Sequence, residues 1–249
     1  MGEHTMTDLL IDVGNSRIKW AIAADGELIG AGRAVTHDSL EALFAEWTRL
    51  AERPARVRMV NVSKASVANR ITAWLQVHWE LAAESIQTPD SSDAIHVAYP
   101  EPRQLGADRW LAMLGARAAG TLPACVVDCG TAITVDVVDA AGQHQGGLIL
   151  PGLPAQQAGL ARLAPGLPRI ELPTRTPFLA TNTAGALASG HIFGTAAAVQ
   201  GVIRRCLAGS SERLTPVLTG GDAPVIARYL DLDVRLRPDL VLEGLASLP

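Results

Sequence analysis

Apolar and polar positions along the chain predict strands and helices in a repeating order. Residues 8–13 and 17–23 have the pattern of two strands around a turn, and residues 28–35 that of a third strand after Asp25-Gly26. An amphipathic helix follows, capped by Asp38 or Ser39 and ending before Pro54, with an apolar face of Leu40, Leu43, Phe44, Trp47 and Leu50. The chain is therefore expected to open with a β-meander that leads into a helix.

The rest of the chain continues the same alternation. A short strand over residues 57–62 precedes a helix bearing Val67, Ile71, Trp74 and Leu75, a polar loop up to Pro102, and a helix bearing Trp110, Leu111 and Leu114. In the second half, the pattern predicts a hairpin over 125–138, a strand over 146–153 and a helix over 155–163. A Pro-rich loop and a long uncharged helix follow, and then a strand over 216–219, a helix through Tyr229, a strand over 233–237 and a closing helix. This order favours an α/β architecture with a mixed sheet in each half.

One motif occurs twice. Asp12, Gly14 and the polar Asn15-Ser16 follow an apolar strand, and Asp128, Gly130 and Thr131 follow another one 116 residues later. Because this offset is close to half the chain, the repeat predicts two similar domains, 1–120 and 121–249, each opening with a strand–turn–strand hairpin.

Composition narrows the class of partner. The chain has 249 residues, 48% of them hydrophobic, and a net charge of −4 with aromatic residues at only 4%. These values indicate a globular protein that binds a small molecule, and they argue against nucleic acid as a partner. Cys125, Cys129 and Cys206 have no zinc-ligand spacing, so we interpret them as reduced core residues of a cytoplasmic protein.

Neither a targeting segment nor a membrane span is expected. The opening MGEHTM lacks the regions of a secretory signal and is interpreted as an extension before a start at Met6. Residues 176–203 carry no charge over a length that could span a bilayer, but they include Asn182, His191 and Gln200, which favours a packed helix. Gly190 and Gly194 on this helix form a candidate subunit interface.

The repeated Asp-x-Gly turns suggest phosphate chemistry. A glycine lets backbone N–H groups approach an anion, and a nearby carboxylate can hold a divalent cation that bridges to phosphate oxygens. Either turn alone is common in proteins without such a role, but two in matching hairpins favour a polyphosphate held between them. Gly220-Gly221-Asp222, between a strand and a helix, is a weaker candidate for contact with a nucleotide.

Six motifs together resemble a known family. They are DVGNSRIK (12–19), GADRW (106–110), DCGTAIT (128–134), GGLILPGL (146–153), NTAGALASG (182–190) and LTGGDA (218–223). Their order resembles the superfamily of acetate and sugar kinases, the heat-shock chaperone and actin, and more narrowly the type III pantothenate kinases. The resemblance implies two ribonuclease-H-like domains with the actin-like ATPase fold.

The resemblance also implies an activity and its residues. Such kinases transfer the γ-phosphoryl group of ATP to pantothenate, giving 4′-phosphopantothenate for coenzyme A synthesis, with Mg²⁺ and a monovalent cation, K⁺ or NH₄⁺. Asp108 is implied as the catalytic base and Asp128 as the ligand of the monovalent cation. The ATP-binding set is Asp12, Val13, Gly14, Asn15, Ser16, Arg17, Ile18, Lys19 and Thr131. The pantothenate-binding set is Tyr99, Gly106, Ala107, Asp108, Arg109 and Thr183, and a homodimer is expected.

The residues alone leave an alternative open for the role of Asp108-Arg109 and another for the function of the protein. Asp108-Arg109 is also an ordinary pair for the start of a helix, where a carboxylate suits the helix dipole. A non-catalytic nucleotide-binding regulator on the same fold is the alternative function, although such a protein should have lost Asp108 or part of a phosphate turn. The histidines at 37, 78, 96, 144 and 191 show no ligand spacing and are assigned core or surface roles.

Overall fold

The computed structural model describes residues 6–31 and 34–249. The proposed extension before Met6, residues 1–5, lies outside the described residues, as do positions 32 and 33 of the predicted third strand. The chain divides into two compact units: Met1–Gly120 with Asp239–Pro249, and Thr121–Pro238.

Strands and helices alternate along both units. The strands are β1 Thr7–Val13, β2 Arg17–Ala24, β3 Glu27–Ala31, β4 Val35–Thr36, β5 Arg56–Asn61, β6 Ala83–Ile86, β7 Ala124–Cys129, β8 Ala132–Val138, β9 His144–Pro151, β10 Thr215–Thr219 and β11 Arg235–Leu236. The α-helices are α1 Leu40–Thr48, α2 Ala65–Trp79, α3 Ala107–Ala118, α4 Leu153–Leu163, α5 Thr183–Gly209, α6 Ala223–Ala227 and α7 Leu240–Ala246. Short 3₁₀ turns, His37–Ser39 and Pro102–Gln104, precede α1 and α3.

The first unit contains a mixed sheet in the order β3-β2-β1-β5-β6, with β4 paired to β2. β1, β2 and β3 are antiparallel neighbours, whereas β5 and β6 run parallel to β1 and to each other. Apolar side chains of β1, α1 and α2 form the core, with Leu9, Ile11, Leu43 and Ile71 fully buried. A cluster of aromatic rings extends it: Trp20, Phe44, Trp47, Trp74 and Trp79.

The second unit repeats this arrangement. Its sheet has the order β11-β10-β7-β8-β9, in which β7, β8 and β9 are antiparallel and β10 and β11 run parallel to β7. β7 therefore occupies the position of β1, and the hairpin β7–β8 that of β1–β2. Its core packs α5 and α6 against Cys125, Val127 and Cys129.

The placement of the closing helix, α7, differs from the expected domain division. The predicted second domain spans residues 121–249, but α7 packs on α3 and belongs to the first unit. The two helices cross where both carry glycine: a Cβ on Gly115 would overlap the carbonyl oxygen of Leu240, and one on Gly244 would overlap that of Leu111. The buried Arg58 of β5 holds the end of α7 through bonds of 3.0 and 2.8 Å to the Leu245 and Leu248 carbonyls.

Two further elements differ from the sequence predictions. β6 lies within a segment predicted as loop, because it has only four residues and its central Glu84 and Ser85 are exposed. The long uncharged helix begins at Thr183, later than the uncharged run, and continues to Gly209. The Asn182 side chain fixes this start by accepting a hydrogen bond of 2.8 Å from the backbone N–H of Gly185.

Helix α5 is long and apolar enough, by length and composition alone, to cross a membrane. A helix in the core of a globular unit can have the same length and composition. One face of α5, with Ala196, Val199 and Ile203, is buried in the core of the second unit. Packing of this kind is what the sequence analysis expected of the segment.

Candidate active site

The first Asp-x-Gly motif forms a tight turn between β1 and β2. The backbone N–H of Gly14 donates a hydrogen bond of 3.0 Å to the Arg17 carbonyl, which closes the turn. Asn15, Ser16 and Arg17 are exposed at its tip, while Val13 and Ile18 anchor it in the core. All eight residues predicted to bind ATP in this segment, 12–19, therefore belong to one turn and its two flanking strands.

A second group of predicted residues gathers at the start of α3. Gly106 precedes the helix, and its carbonyl accepts a bond of 3.1 Å from the N–H of Trp110. The Oδ1 atom of Asp108 accepts a bond of 2.8 Å from the N–H of Arg109. A Cβ on Gly106 would lie 2.6 Å from that same Oδ1, so this position must be glycine for the carboxylate to keep its place.

Arg109 links this group to Tyr99. The Arg109 side chain is buried, with 6% of the residue exposed, and its Nη1 donates a bond of 3.1 Å to the Tyr99 hydroxyl. The guanidinium carbon also lies 6.0 Å from the centre of the Tyr99 ring, within cation–π range. Tyr99, Gly106, Ala107, Asp108 and Arg109, all predicted to bind substrate, are thus neighbours in the first unit.

The second Asp-x-Gly turn lies between β7 and β8 and is supported by Gly152. The N–H of Gly130 donates 3.1 Å to the Ala132 carbonyl, and the N–H of Gly152 donates 3.0 Å to the Thr131 carbonyl. A Cβ on Gly152 would overlap the Gly130 carbonyl. The glycine of the GGLILPGL motif therefore allows the start of α4 to touch this turn directly.

The Gly-Gly-Asp turn supports the same hairpin from β10. Gly220 has φ +91°, and a Cβ there would overlap the Asp128 carboxylate and the Cys129 carbonyl. The N–H of Asp222 donates 3.0 Å to the Cys129 carbonyl. Burial raises the pKa of the Cys129 thiol, and the negative charges of Asp128 and Asp222 raise it further.

The donors near Asp128 fit a hard cation. Within residues 6–31 and 34–249, no group of three or more His, Cys, Asp or Glu side chains is placed to hold a metal ion. Beside the Asp128 carboxylate lie the carbonyl oxygens of Cys129, Thr131 and Ala132, each of which accepts a backbone N–H. Carboxylate and carbonyl oxygens are the ligands that hard cations prefer. A cation here would be held by few charges, which is compatible with a monovalent ion and does not suggest a zinc site.

Thr183, the remaining predicted substrate residue, is the first residue of α5 and is exposed. It belongs to the second unit, whereas Tyr99 and Asp108 belong to the first. The structure thus places the predicted residues in four local groups: the two hairpin turns, the start of α3 and the start of α5.

Comparison with known proteins decides the family. The model of the type III pantothenate kinase family matches residues 8–205. A type III pantothenate kinase of Nitrosococcus oceani is 37% identical over 96% of this chain and 92% of its own, and one of Azoarcus sp. is 40% identical over 96% and 89%. The chain belongs to the type III pantothenate kinase family. The resemblance found in the sequence motifs is thereby confirmed.

Solved structures place this type III pantothenate kinase in a broader fold group. The activator of a 2-hydroxyisocaproyl-CoA dehydratase of Clostridium difficile, solved with ADPNP, superposes with a TM-score of 0.57 at 14% identity, over 97% of this chain and 92% of that one. A Baf family transcriptional activator of Campylobacter jejuni gives 0.57 at 21%, over 95% and 94%. At these identities the likeness shows the fold alone. It confirms the expected actin-like ATPase fold of two mixed sheets flanked by helices.

His37, which none of the sequence motifs includes, contacts the first turn of the kinase. Its Nε2 lies 2.8 Å from the Gly14 carbonyl oxygen. In the sequence it is one of several histidines without ligand spacing. Its proximity to Gly14 follows from the pairing of the two-residue strand β4 with the start of β2, which is too short to produce a periodic pattern.

Proposed function

We propose that this protein transfers the γ-phosphoryl group of ATP to the terminal hydroxyl of pantothenate and forms 4′-phosphopantothenate, an early step toward coenzyme A. Curated relatives that carry this activity in their name match nearly the whole chain at 33–40% identity. The structural observation that carries the proposal is the group of Asp108, Arg109 and Tyr99 at the start of α3.

Asp108 is proposed as the general base. A hydroxyl nucleophile loses its proton as the phosphoryl group moves, and a carboxylate within reach can accept it. The space left by Gly106 lets the Asp108 carboxylate stay half-buried at the helix start. The buried Arg109, held by Tyr99, would attract the carboxylate of pantothenate and orient its hydroxyl.

The first turn is proposed to bind the phosphates of ATP. Its exposed tip offers backbone N–H groups and the side chains of Asn15 and Ser16, while Lys19 on β2 adds a positive charge. Thr131 in the second turn is proposed as a further ATP contact. Mg²⁺ bound to ATP, with Asp12 as the carboxylate nearest the first turn, would neutralise charge on the phosphates during transfer.

The second turn is proposed to bind a monovalent cation, K⁺ or NH₄⁺, at Asp128. The surrounding oxygens from the hairpin and from the Gly-Gly-Asp turn suit such an ion, as described above. The cation would balance the negative charge of Asp128 and Asp222 at this turn. Replacing K⁺ by Na⁺ in the assay would test this assignment. A second test replaces Asp128 by Asn and measures the K⁺ concentration needed for half-maximal rate.

A homodimer in the cytoplasm, without a nucleic-acid or membrane partner, completes the proposal. The exposed face of α5 carries Gly190 and Gly194 with open space above both, so a second helix could approach closely. Thr183 at the start of the same helix is proposed to contact pantothenate. Light scattering combined with size-exclusion chromatography would measure the mass of the assembly.

The decisive experiment measures product directly. The protein is incubated with ATP, Mg²⁺, K⁺ and pantothenate, and 4′-phosphopantothenate is quantified by mass spectrometry. Asp108→Asn should keep the fold and nucleotide binding but lower kcat by about 10²-fold or more. Asp90→Asn, at an exposed carboxylate paired with Arg103, is the matched control and should not change the rate.

The regulator considered as an alternative is not favoured, because Asp108 and both turns are present in their places. A folded wild-type protein that binds ATP and yields no product would reverse this conclusion. Near-normal turnover by Asp108→Asn would leave the kinase in place but remove the assigned base.

A further inference from the structure

His37 spans the two arms of the first phosphate turn. It follows β4, whose Val35 and Thr36 pair with Ile18 and Arg17 on the β2 arm. Its own ring reaches the β1 arm, where Nε2 lies 2.8 Å from the Gly14 carbonyl oxygen. Because a carbonyl oxygen can only accept, the ring N–H is the donor.

This hydrogen bond fixes the direction of one peptide group. The peptide between Gly14 and Asn15 is trans and planar, so the Gly14 carbonyl and the Asn15 N–H point in opposite directions. When His37 holds the carbonyl on its own side, the Asn15 N–H is turned to the other side. Asn15 is exposed at the tip of the turn, where an incoming anion can reach that N–H.

The other backbone groups around Gly14 are already engaged. The Gly14 N–H closes the turn onto the Arg17 carbonyl, and the Val13 carbonyl accepts a bond of 3.1 Å from the Val62 N–H. The Gly14–Asn15 peptide is the next group along the chain. Its carbonyl oxygen accepts the hydrogen bond from His37, a residue outside the hairpin. Oriented backbone N–H groups at such turns are a common way to bind phosphate.

We propose that His37 is a positioning residue for nucleotide phosphate binding: it orients the Asn15 N–H toward the phosphates without touching them. This inference rests on the proposed role of residues 12–19 in binding ATP. The residue works as a hydrogen-bond donor, so a side chain that keeps a donor at this place should preserve the function.

Three substitutions separate the donor from the ring. His37→Ala removes both, His37→Phe keeps a ring without a donor, and His37→Gln keeps an amide N–H that can reach a carbonyl. The matched control is His78→Ala, because the His78 ring also bonds a carbonyl, that of Trp74 at 3.0 Å, but within helix α2. The dissociation constant of Mg·ADP is measured by calorimetry, and KM and kcat are measured by varying ATP.

The expected result is a loss of nucleotide affinity with little effect on turnover. His37→Ala and His37→Phe should raise the dissociation constant and the KM for ATP by about two- to tenfold, the range of one ordinary hydrogen bond. Their kcat should change less than KM, since the substitutions act on the support of the nucleotide-binding turn and leave the Asp108 carboxylate chemically unchanged. His37→Gln and His78→Ala should bind nucleotide as the wild type does.

Equal affinity of wild type and His37→Phe would overturn the inference, as would a His37→Gln variant as weak as His37→Phe. If His37→Ala fails to fold, the comparison of Phe with Gln gives the same decision. A wild type that binds Mg·ADP but does not phosphorylate pantothenate would refute the proposed function and leave the role of His37 to be decided by affinity alone.

Discussion

The guanidinium of Arg109 donates a hydrogen bond of 3.1 Å to the hydroxyl of Tyr99, ten residues before it in the chain. Arg109 is buried at the start of α3, whereas Tyr99 lies in the irregular segment before the 3₁₀ turn Pro102–Gln104. The bond therefore ties a loop to the helix that carries the proposed base. It also gives the buried guanidinium a hydrogen-bond acceptor at Nη1.

Tyr99→Phe should weaken pantothenate binding. The substitution removes the hydroxyl from a buried charged donor, which costs about 1–3 kcal/mol when the donor is left without compensation. The KM for pantothenate should rise about tenfold, with a smaller change in kcat and in the KM for ATP. Steady-state kinetics with each substrate varied in turn would measure this.

Arg103→Lys is the control for that measurement, because Arg103 pairs with Asp90 on the surface of the same segment. It should leave all kinetic constants near the wild-type values. A Tyr99→Phe enzyme with an unchanged KM for pantothenate would show that the Tyr99 hydroxyl does not matter to the substrate.

Gly106→Ala should lower kcat. The new Cβ would lie 2.6 Å from the Asp108 Oδ1, too close for any contact, so the carboxylate must move. Because a small displacement of a catalytic group is costly, we expect kcat to fall by about 10²-fold while nucleotide affinity stays unchanged. Turnover assays and calorimetry with Mg·ADP would separate the two quantities.

The control for Gly106→Ala is Gly30→Ala, on β3 of the same unit, where a Cβ meets no atom within 4 Å. It should retain full activity. Wild-type kcat in Gly106→Ala would mean that Asp108 tolerates the displacement, which would weaken its assignment as the base.

Gly244→Ala should destabilise the protein. The added methyl group would overlap the Leu111 carbonyl where α7 crosses α3, so the two helices must separate. Overpacking of this kind costs about 1–3 kcal/mol of the free energy of unfolding. Chemical denaturation monitored by tryptophan fluorescence would report it, since the first unit holds the aromatic cluster.

Gly201→Ala, at an exposed site on α5 with no atom within 4 Å, provides the comparison. It should stabilise the helix by roughly 0.5–1 kcal/mol, the propensity difference between alanine and glycine. If both variants changed stability in the same direction, the close crossing of α3 and α7 would lose its support.

His191 should make the protein sensitive to mild acid. Burial lowers the pKa of this histidine, so the unfolded chain binds a proton more readily than the folded one. The free energy of unfolding should therefore fall as the pH drops below about 6.5, by no more than about 1.4 kcal/mol per pH unit from this group. His191→Gln should reduce that fall, as measured by denaturation at several pH values.

His78→Gln, at an exposed histidine, should leave the pH dependence of stability unchanged. A His191→Gln variant with the full acid sensitivity of the wild type would assign the effect to other groups.

Local patterns predicted much of the fold, because a hairpin turn or an amphipathic element is determined by residues that are close together in the chain. The Asp12–Gly14 and Asp128–Gly130 turns are flanked by buried strands, and both hairpins form as the sequence indicates. Strand β6 was not predicted, because Glu84 and Ser85 interrupt its apolar pattern. Helix α7 was predicted as a helix, but its place in the first unit depends on distant contacts: the close crossing at Gly115 and Gly244, and the hydrogen bonds from Arg58.

The candidate site, like the fold, was predicted where its residues are close together in the chain. Motifs give the residue types of the turns and of the GADR segment, since each lies within a few consecutive residues. The contacts of Gly152 and Gly220 with the second turn, and of His37 with the first, join positions more than twenty residues apart. Such contacts depend on strand pairing and have no signal in a single sequence.

The return of the chain to the first unit affects the order of events during synthesis. The ribosome releases residues 1–120 long before Asp239–Pro249, so the surface that α7 covers on α3 stays open while the whole second unit is made. Maturation of the half that carries Asp108 is therefore completed last, although most of it is made first. A nascent chain stalled before residue 239 should need chaperone protection at that uncovered face.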